Sequence, residues 1–333
     1  MEWFDTWGLP LIVFLPLVGA LVLGMIPKEK EDAVKGTALL FSLVTFGLSL
    51  VAIGLFDFGA SSYNTYQFEV NARWIPAIDS NFHLGVDGIS LPLLVLSCFV
   101  VLLSVIYSWD HWEEPRNPRA FLMLTMILLT GMNGTFVALD LVLFFIFFEV
   151  VLVPMYFMIG IWGDKAPRKI PGFSRVVETR LYAAIKFFLF TLFGSAFMLL
   201  GFLALYFRSG EFGDRTFDIV ELVAANPLAG GGPAAAFALL TIGIGLAVKT
   251  PTVPFHTWLP PAHTEAPATG SAILAGILLK MGTYGFVRIA MPVLPETWRQ
   301  YALVAVVVGV VSVLYGALVA LAQTDVKRMV AYT

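Results

Sequence analysis

Runs of about 20 apolar residues recur along the whole chain, and a helix of that length spans the hydrocarbon core of a bilayer. The sequence is 59% hydrophobic, with a mean hydropathy of +0.85. We therefore predict an all-α polytopic membrane protein with about nine complete transmembrane helices and the start of a tenth. The predicted spans are 9–26, 35–56, 87–107, 120–138, 141–162, 181–206, 234–250, 267–290 and 300–322, and the tenth begins after Arg328.

The cations of the connecting loops predict an orientation. The first apolar run follows a short N-terminus without basic residues, which favours a retained helix over a cleaved signal peptide. Cytoplasmic loops carry an excess of Lys and Arg, which places the N-terminus outside and the 163–180 loop in the cytoplasm. The predicted inside cations are Lys28, Lys30, Lys35, Arg116, Arg119, Lys165, Arg168, Lys169, Arg175, Arg180, Lys327 and Arg328, and the predicted outside cations are Arg73, Arg208, Arg215, Arg288 and Arg299.

Composition argues against a cofactor or a nucleic-acid partner. The single cysteine, Cys98, excludes an internal disulfide and an iron–sulfur cluster bound by several thiolates. The chain carries neither a dinucleotide-binding glycine motif nor a phosphate-binding loop. A net charge of −3 gives no sign of nucleic-acid binding. His256 and His263 with Glu265 do not match a recognised metal-ligand spacing, so we expect no cofactor and no metal in this chain.

Three charges stand alone in apolar sequence. Glu149, Lys249 and Lys280 each lie far from any other charged residue. A charge in mid-bilayer costs about 2.5–3.5 kcal/mol on insertion scales, so it usually faces a bundle interior or water and marks an ion pathway. The three residues therefore predict ion or proton movement across a membrane. Lys186 lies six residues past Arg180, and its sequence fits a proton carrier or an interfacial anchor equally well.

A helix break follows Lys249. Residues 249–263 contain four prolines, which remove backbone donors and prevent a continuous helix. Non-helical backbone at membrane depth is tolerated only where protein buries it or where it lines a wet cavity. We predict a discontinuous helix near 249–263 at a binding site; the alternative is a short re-entrant loop without an ion path. His256 and His263 in this segment could relay protons or cap the broken ends.

The charges suggest a transfer mechanism. A carboxylate near Lys249 would keep the lysine charged, and loosening the Glu149–Lys249 pair would release a proton toward Lys280. Pro154 lies five residues beyond Glu149 and would weaken the helix one turn away. The alternatives are a neutral Glu149 hydrogen-bonded to neighbouring helices and a Lys280 that reaches an interface.

Smaller features complete the prediction. Residues 66–70 alternate like a short exposed strand, and 217–223 fit one or two interfacial helical turns. Trp162, Trp258 and Trp298 are typical of residues at the membrane–water interface.

Four segments resemble a known family: Phe82–Leu91, Phe148–Tyr156, Ala247–Arg288 and Gln323–Tyr332. Together they resemble the antiporter-like subunits M of the bacterial proton-pumping NADH–quinone oxidoreductase, respiratory complex I, within the Mrp antiporter superfamily. The resemblance implies that Glu149, Lys249 and Lys280 form a proton path, and it supports a role for Lys186. It also implies FMN, iron–sulfur clusters and quinone in partner subunits, neighbouring antiporter-like subunits as partners, and the bacterial inner membrane as location.

The sequence departs from that family in two places. Pro261 stands where relatives usually carry an acid, which puts a carboxylate role at that position in doubt. Relatives have about fourteen helices, including two inverted five-helix repeats. We therefore expect one transmembrane domain over 1–333, with N-terminal helices in 1–107, the first repeat in 120–290 and an incomplete second repeat in 300–333. A fragment of a longer protein fits this length best.

The predicted function is proton translocation as a membrane subunit of NADH–quinone oxidoreductase, without a redox centre in this chain. The alternatives are a subunit of a multisubunit Na⁺/H⁺ antiporter or of a related membrane-bound hydrogenase. A purely structural membrane subunit is a further alternative, although a scaffold gains nothing from isolated charges at mid-membrane.

Overall fold

The computed structural model describes residues 2–59, 65–112, 115–165, 167–169, 176–211 and 213–333. Arg175 of the predicted inside loop lies outside the described residues. The chain forms two compact units by its internal contacts. The first comprises 1–154 and 205–227, and the second comprises 155–204 and 228–333.

The first unit is built around a central helix. Its helices are α1 (Glu2–Met25), α2 (Glu31–Leu55), α3 (Ser90–Tyr107), α4 (Pro118–Val137), α5 (Leu141–Val150) and the short α8 (Ile219–Ala225). Helix α4 contacts α1, α2, α3 and α5, and 78% of its apolar span is buried. Inside this bundle the Asn133 amide donates to the Ile12 carbonyl at 3.0 Å and accepts a short hydrogen bond from the Ser97 hydroxyl. A polar residue thus ties three helices together in the apolar core.

A β-hairpin accompanies these helices. Strand β1 (Gln67–Ile75) pairs antiparallel with β2 (Ser80–Val86), which extends the short strand predicted at 66–70. A bulge near Phe68 puts this residue at a φ of 54°, a left-handed conformation that costs energy for a bulky side chain. The Phe68 ring packs edge-on against Phe4 of α1, 5.2 Å between centroids. This contact holds the bulged strand on the bundle.

The second unit contains most of α6 (Leu152–Trp162) and α7 (Thr179–Ser209), together with all later helices from residue 233 onward. The predicted 163–180 loop holds two short paired strands, β3 (Pro167–Lys169) and β4 (Val176–Glu178). Helix α9 (Pro233–Lys249) is followed by an irregular segment and the short α10 (Leu259–Glu265). The discontinuous helix predicted near 249–263 is confirmed.

The eighth predicted span is also irregular. It consists of α11 (Ala268–Ile273), α12 (Leu279–Gly285) and α13 (Met291–Val293), joined by π-helical turns at Leu274–Leu278 and Phe286–Ala290. A π-turn carries one more residue per turn than an α-helix and is frequent at functional sites. Arg288, counted above among the loop cations, lies in the second π-turn and is buried, so its predicted loop location was wrong.

The remaining helices are α14 (Pro295–Leu321) and α15 (Val326–Tyr332). Within the described part of the chain, eight helical stretches are long and apolar enough to cross a membrane, and α9 is a shorter apolar helix. These nine correspond to the nine predicted spans. Helix α15 begins at Val326, three residues before the predicted start of the tenth span, which was placed after Arg328. The apolar residues of α14 are almost all exposed in the described structure.

Candidate functional site

Glu149 lies near the end of α5, and the fold fixes that helix at both ends. Asp140 caps its N-terminus, accepting hydrogen bonds from the backbone N–H of Val142 and Leu143 at 2.9 and 3.0 Å. Helix α5 packs closely on α4, because a Cβ at Gly134 would come within 2.3 Å of the Phe147 ring. The helix is interrupted at Val151, two residues past Glu149, where Pro154 predicted a weakened helix. Glu149 is half-buried, and its Oε1 is shielded from solvent.

Lys249 is the last residue of α9 and is only 2% exposed. Glycines let α9 approach its neighbours closely. A Cβ at Gly245 would lie 2.7 Å from the Gly194 carbonyl of α7, and a Cβ at Gly282 of α12 would lie 2.8 Å from the Leu246 carbonyl. Close backbone approach through small residues is typical of packed membrane helices. The helix that carries Lys249 is therefore held between α7 and α12.

Trp258 fastens the broken segment to α9. The backbone N–H of Thr252 donates to Ala247 at 3.1 Å and not to Val248, its α-helical acceptor. The Trp258 indole Nε1 donates to the Val248 carbonyl at 2.8 Å from a fully buried position. The interface location predicted for Trp258 was therefore wrong, since the break supplies a buried carbonyl that needs a donor. Trp162 is buried as well, whereas Trp298 is half-buried.

A polar cavity of about 330 Å³ lies in the second unit beside this segment. It brings Lys186 of α7 together with Glu265, the last residue of α10, and with Arg328 of α15. The Lys186 ammonium also stands 5.6 Å from the Tyr182 ring centroid. The full lining is Thr179, Tyr182, Lys186, Thr257, Pro260, Pro261, Glu265, Gln323, Arg328 and Tyr332. Pro261, which stands in place of the relatives' acid, thus faces the same space as a buried carboxyl group.

The two histidines of the break flank this region. His256 lines a smaller cavity of about 60 Å³, and its ring meets Tyr315 edge-on with centroids 5.0 Å apart. His263 is nearly buried within α10. The Nδ1 atoms of both are shielded from solvent and have no hydrogen-bond partner among the described residues. Each therefore retains a ring nitrogen that can accept or donate a further hydrogen bond.

Lys280 lies in α12 between the two π-turns. Its Nζ makes a short hydrogen bond to the carbonyl of Ala275, which belongs to the first π-turn. The side chain is exposed in the second unit, not enclosed by it. Helices α9 and α12 are in contact, so the elements that carry Lys249 and Lys280 are neighbours.

The sequence-predicted residues thus divide between the units. Lys249, Lys280, Lys186 and both histidines belong to the second unit, and Glu149 belongs to the first. The Glu149–Lys249 pair stays a prediction. Two cavity residues, Glu265 and Arg328, were not among the predicted proton carriers. Glu265 had a signal, because it is the sole acidic residue between Glu221 and Glu296.

Known sequences and structures share this architecture. A sequence-family model described as "NADH:quinone oxidoreductase/Mrp antiporter, TM" matches residues 138–333, and one described as "NADH-ubiquinone oxidoreductase chain 4, amino terminus" matches 11–135. NADH-quinone oxidoreductase subunit M of Rickettsia prowazekii is 40% identical over 98% of this chain and 62% of that protein. NADH-ubiquinone oxidoreductase chain 4 of Mycosarcoma maydis is 39% identical over 98% of this chain and 62% of that protein.

Solved structures agree. A chain of respiratory complex I from Thermus thermophilus with bound NADH matches with a TM-score of 0.78 and 30% identity, over 97% of this chain and 61% of that chain. A chain of an archaeal membrane-bound sulfane sulfur reductase shares the fold, with a TM-score of 0.79 and 21% identity over 97% of this chain and 61% of that chain. The present chain spans about three fifths of the length of these relatives. Its broken helix, buried lysine and apolar spans are those of a polytopic membrane protein, and the chain belongs to the transmembrane family of NADH:quinone oxidoreductase and Mrp antiporter subunits.

Proposed function

We propose that this chain is a proton-translocating membrane subunit of an NADH–quinone oxidoreductase. The observation that carries the proposal is Lys249, a lysine removed from solvent at the end of a broken membrane helix. Removing an ammonium from water in this way costs several kcal/mol, and charged residues buried in membrane proteins commonly belong to ion pathways. Two relatives that are 40% and 39% identical to this chain are named NADH-quinone oxidoreductase subunit M, which supports the same assignment.

Each charged residue has a role in this proposal. Glu149 stabilises the ammonium of Lys249, and weakening that interaction allows Lys249 to release its proton. Lys280 on the adjacent helix α12 receives it. Lys186, His256 and His263 carry protons to or from the polar cavity beside the break. The pairing of Glu149 with Lys249 rests on the charge argument alone.

The chain itself supplies transport, and electron transfer occurs elsewhere in the assembly. FMN, iron–sulfur clusters and the quinone site belong to partner subunits in this proposal, and neighbouring antiporter-like subunits and the bilayer surround the chain. The location is the bacterial inner membrane, with the N-terminus outside. The cation bias of the loops supports this orientation.

The transport test uses the assembled enzyme in vesicles. Glu149→Gln, Lys249→Ala and Lys280→Ala should each strongly reduce proton uptake and the quinone reduction coupled to it. Electron transfer from NADH to an acceptor that bypasses the quinone should survive, because this chain carries no redox step. Lys165→Ala, which removes an exposed loop lysine, is the control and should pump normally. Full pumping in both Glu149→Gln and Lys249→Ala would refute the mechanism.

A Na⁺/H⁺ antiporter subunit is the second candidate, because the matching family model covers both classes. Such a subunit would exchange Na⁺ for protons in vesicles without NADH. If the isolated assembly shows NADH-independent, Na⁺-dependent proton movement that Lys249→Ala abolishes, the antiporter assignment replaces the first.

Orientation is tested by labelling. Arg73 and Lys165 are both exposed and lie in loops predicted to face opposite sides of the membrane. The native Cys98 is buried and gives little background. Cysteine placed at Arg73 should react with an impermeant reagent from outside only, and cysteine placed at Lys165 from the cytoplasm only. Reversed labelling would invert the proposed topology.

A further inference from the structure

A buried histidine in the first unit joins the β-hairpin to two acidic residues. His83 of β2 is 2% exposed. Its Nδ1 lies 2.5 Å from Asp218 Oδ2, and its Nε2 lies 2.9 Å from Glu69 Oε1. Asp218 is equally buried, whereas the Glu69 side chain is 48% exposed. One end of this network is therefore sealed from water, and the other end reaches it.

The fold builds this arrangement from the hairpin register. His83 pairs with Asn71 across the two strands, and Glu69, two residues before Asn71, lies on the same face diagonally from His83. Asp218 is the N-cap of α8, and its two carboxylate oxygens bind different partners. Oδ1 accepts the backbone N–H of Val220 at 2.8 Å, which leaves Oδ2 for the histidine.

A second carboxylate pins the same strand. Asp140, the N-cap of α5, accepts the Ser80 hydroxyl at 3.0 Å and the Asn81 backbone N–H at 3.1 Å. Strand β2 is thus attached to the starts of both α5 and α8 through helix-capping aspartates. The Asp140 contacts use donors that do not titrate near neutral pH. The His83 contacts depend on how many protons the ring carries.

A neutral imidazole has one N–H and can donate to one carboxylate only, whereas the imidazolium donates from both nitrogens. Burial lowers the pKa of His83, but the hydrogen bonds and charges of Asp218 and Glu69 outweigh it and raise the pKa above its ordinary value. Within the described part of the chain, the charges that act on the ring are these two carboxylates, one from β1 and one from the start of α8. Asp140, which pairs with Asp218 in an isolated β-bridge, directs its carboxylate to Ser80 and Asn81.

We propose that His83 is a proton-operated clasp that holds strand β1 of the hairpin when its ring is doubly protonated and releases Glu69 when the ring loses one proton. The remaining proton stays on Nδ1, because Asp218 is buried and would lose a hydrogen bond that solvent cannot reach to replace. Glu69 can turn into water at little cost because it is half exposed. Deprotonation therefore loosens β1 and leaves β2 attached to both helices.

The direction of the pH effect follows from linkage. The clasp stabilises the hairpin fully below the ordinary pKa of histidine, and this contribution is lost as the pH rises through the raised pKa of the folded state. The proposed orientation places the hairpin outside, on the side that receives translocated protons. On that assumption, which rests on the proposed function, the clasp closes as the outer side acidifies.

Hydrogen–deuterium exchange of the intact chain, corrected for the intrinsic pH dependence of amide exchange, measures the clasp directly. A hydrogen bond to a charged group is worth about 1.5–3 kcal/mol, so exchange in β1 should rise roughly tenfold to a hundredfold between about pH 6 and about pH 9.5. Amides of β2 should change much less. In Glu69→Gln the step should weaken and move to lower pH, and in His83→Gln it should vanish.

Arg73→Gln is the matched control, because it removes an exposed charge from the same strand and should leave the step in place. A flat exchange profile in the wild type over this range would overturn the proposal, as would an unchanged step in Glu69→Gln. The Glu69→Gln comparison remains decisive even if His83→Gln fails to fold. Hydrogen–deuterium exchange is measured without proton transport. A negative result would therefore contradict the His83 proposal without contradicting the proposed transport function, and the reverse also holds.

Discussion

The bond between the Trp258 indole and the Val248 carbonyl makes a specific prediction, because it spans the helix break next to Lys249. Trp258→Phe keeps an aromatic ring but removes the donor, and it leaves a buried carbonyl without its indole partner. An unsatisfied buried polar group costs about 1–3 kcal/mol, which corresponds to a roughly 5-fold to 150-fold increase in the unfolding equilibrium constant. The end of α9 should also shift, so proton uptake should fall although no titratable group is changed.

The assay is reversible unfolding of the chain in mixed micelles by titration with sodium dodecyl sulfate. Unfolding is monitored by far-ultraviolet circular dichroism, a signal that does not depend on tryptophan fluorescence. Trp298→Phe is the control, since it removes the same atoms from a half-buried ring. The centroid of the Trp298 ring lies 6.0 Å from that of Phe286. Trp258→Phe should lose at least about 1 kcal/mol more than this control. Equal losses in the two variants would refute the view that the indole hydrogen bond secures the break.

Two further predictions concern packing and capping. Gly282→Ala places a Cβ 2.8 Å from the Leu246 carbonyl and should destabilise the chain by about 1–3 kcal/mol in the same titration. A Cβ at Gly243 would have its nearest neighbouring atom 4.0 Å away, so Gly243→Ala should be neutral or stabilising. Asp140→Ala removes the cap of α5 and the acceptor for Ser80, and should cost at least about 1–2 kcal/mol; Asp140→Asn should cost less, and equal effects would contradict the capping role.

The membrane helices were readable from the sequence because span length and apolar composition are properties of single segments. The break after Lys249 was readable for the same reason, since its four prolines act locally. Glu149, Lys249 and Lys280 stood out because an isolated charge in apolar sequence needs no partner to be noticed.

Other features depend on contacts distant in sequence and gave little local signal. Trp258 looked like an interface residue, and its burial follows from a carbonyl ten residues away. His83 gave no local signal, because its setting requires Glu69 and Asp218 from two other elements. The π-turns around Lys280 were not predicted, because an extra residue per turn leaves the apolar character of a segment unchanged.

The two π-turns have a consequence for reading residues 268–293 on a helical wheel. An α-helix advances about 100° per residue, and a π-turn accommodates one additional residue within nearly the same rise. Past Leu274–Leu278, each side chain is therefore displaced by roughly 100° from the position that an uninterrupted wheel assigns, and past Phe286–Ala290 by about twice that angle. A mutational scan interpreted with a constant 100° per residue would therefore place Lys280 and Arg288 on the wrong face of the helix relative to α11. It would also assign the residues next to them to the wrong faces.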